Sequence, residues 1–337
     1  MKILAIETSC DETSVALVEF KNSKINILAE KTASQIDIHK KYGGVVPEIA
    51  GRKHAEFILP TIKEVLEGQP KPDVIVSANG PGLITGLIIG VETAKMLSIL
   101  LKIPIVSTNH MEGHIYSALL EEKDLDAIKF PALSLIASGG HSELIVMKDN
   151  LSYEKIGMTR DDAAGECFDK VGTLLGFEYP CGPKVSKEAL NGNPKAINLP
   201  RPMLNSDNFD FSFAGLKTAS LYFLQKNKKV NKADFAASFE QAVVDVLVSK
   251  TMRAVGKYKP KTIILAGGVS ANKKLRETLS KEIKTNFPKT KFLLPPQDYT
   301  TDNAVMVAVA GYFKAKNKQY TNWKNLKAEP NWELGER

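Results

Sequence analysis

The chain reads as an α/β protein made of two copies of one mixed-sheet plan, and three observations predict this. Short buried strands alternate with apolar-striped helices along its length. Two strand–turn–strand units, at residues 2–20 and 132–147, echo one another and each opens such a run. Glycine-bearing turns follow strand ends at 79–86, 138–142 and 267–272, where backbone can come close to a ligand. A duplicated fold of this kind is expected to hold its ligand between the halves. The expected domains are 1–130 and 131–337, with a surface excursion near 191–212.

The first unit pairs Ile3-Leu4-Ala5-Ile6 with Val15-Ala16-Leu17-Val18 across the polar turn Glu7 to Ser14. Such a turn can hold a phosphate through its N–H groups while a carboxylate binds a cation or takes a proton. A plain surface hairpin is the simpler reading of this stretch alone. A strand at 25–29 follows, then a loop and a helix opening at Pro47, a residue suited to a first turn. The helix stripe places His54 against a core or a partner, whereas His39, in a basic glycine-bearing loop, is the candidate for phosphate contact. Strand 74–78, helix 85–101 and strand 105–106 lead to Asn109-His110-Met111-Glu112-Gly113-His114. Two imidazoles four residues apart on a helix share one face and can share one metal ion; two ordinary polar positions are the alternative.

In the second half, Ser138-Gly139-Gly140 joins strands 132–137 and 143–147, either to admit phosphate oxygens or only to turn the hairpin. Asp161 to Gly172 reads as an N-capped helix with an acidic first turn, in which Asp169 lies deeper. Gly182 permits close approach in the turn Tyr179 to Pro183, and helix 233–256 is core. A buried strand from Lys261 runs into the turn Ala266 to Asn272 and a helix. Asp302 precedes the apolar helix 303–313 and is a cap unless a metal faces it.

Over 337 residues, 43% hydrophobic and 25% charged composition suits two domains with their own cores and excludes a disordered chain. Lys plus Arg exceed Asp plus Glu by 45 to 38, a formal charge of +7. That balance favours a polyanionic partner, or reflects a lysine-rich surface. Cys10, Cys167 and Cys181 are odd in number and lack CxxC spacing, which excludes a disulfide framework and a zinc knuckle and fits a reducing cytoplasm. Ile3 to Ile6 is too short for a signal sequence. Leu83 to Val106 carries Glu92, Lys95 and Lys102, so it reads as a buried helix and strand and no membrane is expected.

The chain also resembles a known family along nearly all its length. The carriers are Ile6-Glu7-Thr8-Ser9-Cys10-Asp11-Glu12-Thr13, Tyr42-Gly43-Gly44-Val45-Val46-Pro47-Glu48, Gly80-Pro81-Gly82 and His110-Met111-Glu112-Gly113-His114. To these add Ser138-Gly139-Gly140-His141, Asp162-Ala163-Ala164-Gly165-Glu166, Phe211 to Lys217, Ala266 to Asn272 and Thr301-Asp302-Asn303. Together they resemble the tRNA threonylcarbamoyladenosine transferases, once labelled O-sialoglycoprotein endopeptidases. Ile136 stands where the archaeal and eukaryotic branch has a tyrosine, so the likeness is to the bacterial type.

The resemblance implies an actin-like ATPase fold, related to hexokinase, and one divalent metal, Fe2+ or Zn2+, on His110, His114 and Asp302. Three protein ligands leave positions for substrate oxygen. It implies that Ile136, Ala137, Ser138, Gly139, Gly140, Asp169, Gly182 and Asn272 line an adenylate, either an adenine nucleotide or threonylcarbamoyl-AMP. The implied reaction moves the threonylcarbamoyl group to the N6 amine of adenosine 37 in tRNAs reading codons that begin with A. We nominate Asp11 or Glu12 to take the amine proton. Implied partners are tRNA, a non-catalytic paralogue of the same fold, a small P-loop ATPase and a threonylcarbamoyl-AMP synthase that supplies the substrate. The chain departs from the family pattern at three places: Asn109 replaces a histidine, Cys181 replaces a glycine, and Glu329-Pro330-Asn331-Trp332 replaces a more basic tail, for which Lys314, Lys316, Lys318 and Lys324 offer phosphate contacts.

Two competing functions remain. A sugar or carboxylate kinase of the same fold would hold magnesium with carboxylates and phosphates and has no need of the histidine pair. A non-catalytic scaffold paralogue would lack the metal triad. The old protease label fails because neither HExxH nor HxxEH occurs.

Overall fold

The structure is a computed structural model and describes residues 1–335. It resolves into two compact units, Met1–Ile128 with the segment from Pro295 onward, and Lys129–Leu294. The second expected domain therefore ends at Leu294, not at the end of the chain. The physical reason lies in the helix Ala304–Lys316, whose apolar residues are buried almost all round and pack on the first sheet.

The first sheet has the order β3-β2-β1-β4-β5, with β1 Lys2–Glu7, β2 Glu12–Lys21, β3 Lys24–Ser34, β4 Val74–Gly80 and β5 Ile105–Asn109. The second has the order β10-β9-β6-β7-β8, with β6 Ala132–Ala137, β7 Ser142–Asp149, β8 Ser152–Met158, β9 Thr262–Ala266 and β10 Lys291–Leu293. In chain order within each unit the plan is the same. The first three strands form an antiparallel meander, and the fourth and fifth lie parallel to the first on its other side. The duplication read from the two hairpins is thus a duplication of topology. Its strands β1, β4, β6 and β9 are buried throughout or nearly so, as expected of strands covered on both faces.

In each unit the first and fourth strands are parallel neighbours, and strand order reverses there, so their C-terminal ends open a crevice suited to a ligand. The turns after these strands approach each other closely. In the second unit Gly267 adopts φ +85°, and a Cβ there would lie 2.5 Å from the Ala137 carbonyl oxygen, so only glycine fits.

The helix Ile84–Leu101 is long and apolar enough to cross a membrane by length and composition, with mean hydropathy 1.7. It is instead the crossover between the parallel neighbours β4 and β5, and it packs on β4. It was expected to be buried. Only Gly86, Leu87, Gly90, Val91, Ala94 and Ser98 are, while Ile84, Ile88, Met96, Ile99 and Leu100 are exposed.

Candidate metal centre and adenylate turns

β5 ends at Asn109, which caps the helix His110–Ser117: its side chain accepts from Met111 N at 2.8 Å, and Glu112 reaches back to Asn109 N at 3.0 Å. This reciprocal capping box fixes where the helix begins. It therefore fixes which way His110 and His114 face. Both rings turn Nε2 toward one oxygen, Oδ1 of Asp302, at 3.4 Å and 3.3 Å. The ligand atoms of the three residues lie within 4.8 Å of one another. Two imidazole nitrogens and a carboxylate oxygen are the donor set of an open site for zinc or ferrous iron, so the residues fit the implied metal.

Asp302 is not a cap. The helix Ala304–Lys316 is capped by Asn303, whose side chain accepts from Met306 N, and this leaves the Asp302 carboxylate for the histidines. The two helices cross closely because residue 113 is glycine; a Cβ there would meet Met306 Cγ at 3.0 Å.

Behind the triad lies a carboxylate that the sequence reading passed over. Glu7 is fully buried, its Oε2 is 2.9 Å from His110 Nδ1, and its Oε1 accepts from Ser9 N at 2.6 Å. Ser9 Oγ lies 3.2 Å from the same Nδ1. A carboxylate accepting the Nδ1 proton leaves Nε2 bare for ligation. The legible signal was a charge closing the otherwise apolar run of β1. Burial pulls the His110 imidazole down, but the charges of Glu7 and Asp302 outweigh it and the net displacement is upward. Burial, with the charge of His110 adding to it, outweighs the pull of Asp302 and Glu7 at His114, which is shifted down. Burial raises Asp302 less than the two imidazoles lower it, so it is held below the carboxylate range. His114 Nδ1 has no hydrogen-bond partner.

The turn from Cys10 to Thr13 stands beside this cluster. His54 clamps it, with Nε2 3.0 Å from the Cys10 carbonyl oxygen and Nδ1 2.8 Å from Thr13 Oγ1. The carbonyl can only accept, so the proton sits on Nε2 and Thr13 donates to Nδ1. Asp11 and Glu12 project from this turn. Burial pushes both carboxyls up, Glu12 to about 7, with the charge of Asp302 adding to each. Glu12 Oε1 accepts from Ser34 Oγ at 2.8 Å, while its buried Oε2 has no partner. Burial, followed by the charges of Asp11 and Asp302, drives the Cys10 thiol well up, so it is no thiolate nucleophile. The phosphate role considered for His39 is not supported. The ring is fully buried, accepting from Val46 N at 3.3 Å on Nδ1 and facing Gln35 Oε1 at 3.2 Å through Nε2.

In the second unit, the residues expected around an adenylate form a closed run of contacts. Ser138 and Gly139 accept from Gly165 N and Glu166 N, at the start of the helix Ala164–Leu174. Asp169 on that helix accepts from Cys181 N at 2.7 Å and Gly182 N at 3.2 Å. The helix Gly182–Ala189 then carries Ser186, which receives Asn272 Nδ2 at 2.9 Å, and Gly267 returns to Ala137. Within this ring only part can meet a ligand directly. Ile136 and Ala137 are fully buried in β6, whereas Gly139 and Gly140 are open, with nothing within 4 Å of a Cβ at either position. The Asn272 side chain is committed to capping Leu275 N and to Glu240 Oε1 at 2.7 Å. Glu240, another carboxylate the sequence reading missed, is buried and its pKa is raised by that burial. Asp161 and Asp162 precede their helix and do not cap it. Asp161 instead accepts from Phe213 N, Ala214 N and Ser212 Oγ at the start of the helix Ala214–Lys226.

Comparison with known proteins agrees with this geometry. Residues 26–309 match the family model described as TsaD, tRNA N6-adenosine threonylcarbamoyltransferase. The chain belongs to that family. It is similar to the tRNA N6-adenosine threonylcarbamoyltransferase of Kosmotoga olearia, 48% identical over 94% of each chain. The Ligilactobacillus salivarius protein of the same name is 45% identical over 98% of this chain and 96% of its own. Among solved structures, T. kodakarensis HypF matches with TM-score 0.61 and 13% identity over 96% of this chain and 49% of HypF. That likeness shows the fold alone, a duplicated, actin-like α/β architecture.

Proposed function

We propose that this protein transfers the threonylcarbamoyl group of threonylcarbamoyl-AMP to the N6 amine of adenosine 37 in tRNAs reading codons that begin with adenine, releasing AMP. The observation that carries the reading is the convergence of His110, His114 and Asp302 on one point, in a chain of this family. A kinase of the same fold has no use for it, and a scaffold paralogue would not keep it.

His110, His114 and Asp302 would hold one divalent iron or zinc ion. When bound, such an ion supplies a Lewis acid that draws negative charge from a carbonyl or phosphate oxygen. Glu7 keeps His110 Nε2 bare and aimed. Glu12 is the better of the two candidate bases. Its carboxyl, pushed up to about 7, is half ionised near neutral pH, and its Oε2 is uncommitted. Asp11 is the second candidate. The turn at Gly139 and Gly140, with open space where a Cβ would stand, would let its backbone N–H groups meet the adenylate phosphate. Asp169 acts through the backbone of Gly182, and Asn272 through the shape of its turn. The exposed apolar face of Ile84–Leu101 has the chemistry of a protein interface and suits a partner such as the paralogous subunit. The P-loop ATPase and the threonylcarbamoyl-AMP synthase belong to the same proposal, as does a cytoplasmic setting.

The test is direct. Purified protein, with and without partner subunits, is given threonylcarbamoyl-AMP and unmodified tRNA, and nucleosides are analysed by mass spectrometry. The proposal expects modified adenosine; none under any combination overturns it.

A further inference from the structure

From Ala304 to Ala328 the chain carries five lysines and no acidic residue. Lys314 is not part of any outward surface: its Nζ lies 2.7 Å from Glu112 Oε2 and bonds the Ser107 carbonyl at 3.2 Å. Lys316, Lys318, Lys324 and Lys327 are exposed, and none pairs with a carboxylate among the described residues. Two large aromatic rings lie among them in the open, Tyr320 (45% exposed) and Trp323 (43% exposed), and Lys324 Nζ stands 5.5 Å from the Trp323 ring centre. Aromatic faces offered beside unpaired cations suit a chain of phosphates bearing unstacked bases.

The segment is fastened at both ends. Thr321 N donates to Ile105 O at 2.8 Å on the edge strand β5, and Leu326 is buried in the first core. Beyond it, Glu329 N donates to Asn79 O at 2.7 Å, Asn79 Nδ2 to Lys327 O at 2.9 Å and Gly82 N to Pro330 O at 3.1 Å. Asn109 Nδ2 then donates to Trp332 O at 3.0 Å, so the residue that caps the histidine helix also holds this strap. Two of the three departures from the family pattern, Asn109 and the tail at 329–332, therefore meet. The helix Ala304–Lys316 runs about 20 Å from its start beside Asp302 to the lysine surface, at 1.5 Å per residue.

We infer that the surface formed by Lys316, Lys318, Tyr320, Trp323, Lys324 and Lys327 is where this protein grips its RNA, Trp323 stacking on a base and the lysines meeting phosphates, at a fixed distance from the metal triad. This rests on the reading of the chain as a tRNA-modifying enzyme. An anionic membrane would meet the lysines equally well but would give the exposed rings no stacking partner.

The experiment uses the metal-loaded protein with its partner subunits, and measures tRNA binding against salt together with transfer kinetics. Replacing Lys316, Lys318 and Lys324 with Ala lowers the steepness of log K against log salt by about 2–3. Trp323→Ala raises the KM for tRNA roughly tenfold, leaves kcat and metal content unchanged, and Trp323→Phe restores it. An active protein whose variants keep the wild-type KM and salt slope overturns the inference. So does loss of binding to phosphatidylserine vesicles with tRNA binding intact. Failure of the wild type to modify any tRNA would overturn the underlying reading instead.

Discussion

Replacing Glu7 by Gln should weaken metal binding by roughly 10- to 100-fold, the range found when a group supporting a ligating histidine is lost. Glu7 is fully buried, and its two oxygens serve two donors, Ser9 N at 2.6 Å and His110 Nδ1 at 2.9 Å. A glutamine has one acceptor oxygen for the two. If that oxygen stays on Ser9 N, the amide NH2 faces His110 Nδ1 and drives the ring proton to Nε2, the nitrogen that must be bare. If the amide flips, its NH2 meets Ser9 N–H, donor against donor. Either arrangement forfeits a charge-assisted hydrogen bond worth about 1.5–3 kcal/mol. The assay is competition with a chromophoric chelator, for zinc and ferrous iron separately, beside the melting temperature of the metal-free protein. A Glu7→Gln variant that folds and binds metal as tightly as wild type would refute the reasoning.

Asp302→Asn keeps the shape of the triad but removes its only negative charge, so metal retention through dialysis should fall at least tenfold, read by elemental analysis. Glu12 has a folded pKa above that of an exposed glutamate, so the fold favours its protonated form. The resulting stability is fully present below about pH 4 and is lost as pH rises through about 7. Glu12→Gln should therefore melt higher than wild type at pH 8.5 and alike at pH 4, and should lower transfer while removing its dependence on a group titrating near 7; an unchanged pH–rate profile counts against Glu12 as the base. Asp161→Ala uncaps the helix Ala214–Lys226 and should cost about 1–2 kcal/mol of stability, measured by urea unfolding. Lys250, fully buried, donates to Ser206 Oγ and Asn208 O, so Lys250→Ala removes both bonds and leaves a buried cavity, with Arg253 still donating to Asn208 O at 3.1 Å, and should destabilise by about 2–4 kcal/mol.

Much of this fold was legible because its central strands carry short apolar runs and its turns are marked by glycine and hydroxyls, whereas β8 and β10, with polar residues and half-exposed faces, gave no such signal. The register that makes the two sheets equivalent was not, because pairing is a long-range choice that no local stretch records. The histidine pair was visible through helical spacing, but the part of Asp302 depended on which neighbour caps the next helix, and Asp and Asn cap about equally well. Asn303 does so here. The same ambiguity hid Asp161, whose carboxylate caps a helix fifty residues on, not its own. Glu7 and Glu240 escaped notice because an acid in an apolar run declares its burial but not its partner. His39 misled because a basic, glycine-bearing loop says nothing about which way an imidazole turns.

The proposed transfer needs one ion held by His110, His114 and Asp302. Metal content per chain, measured by elemental analysis on wild type and His110→Ala, beside threonylcarbamoyl transfer to unmodified tRNA, addresses this directly. We expect one iron or zinc per wild-type chain, and a folded variant that has lost both metal and transfer. A His110→Ala protein that retains stoichiometric metal and full transfer would contradict the account.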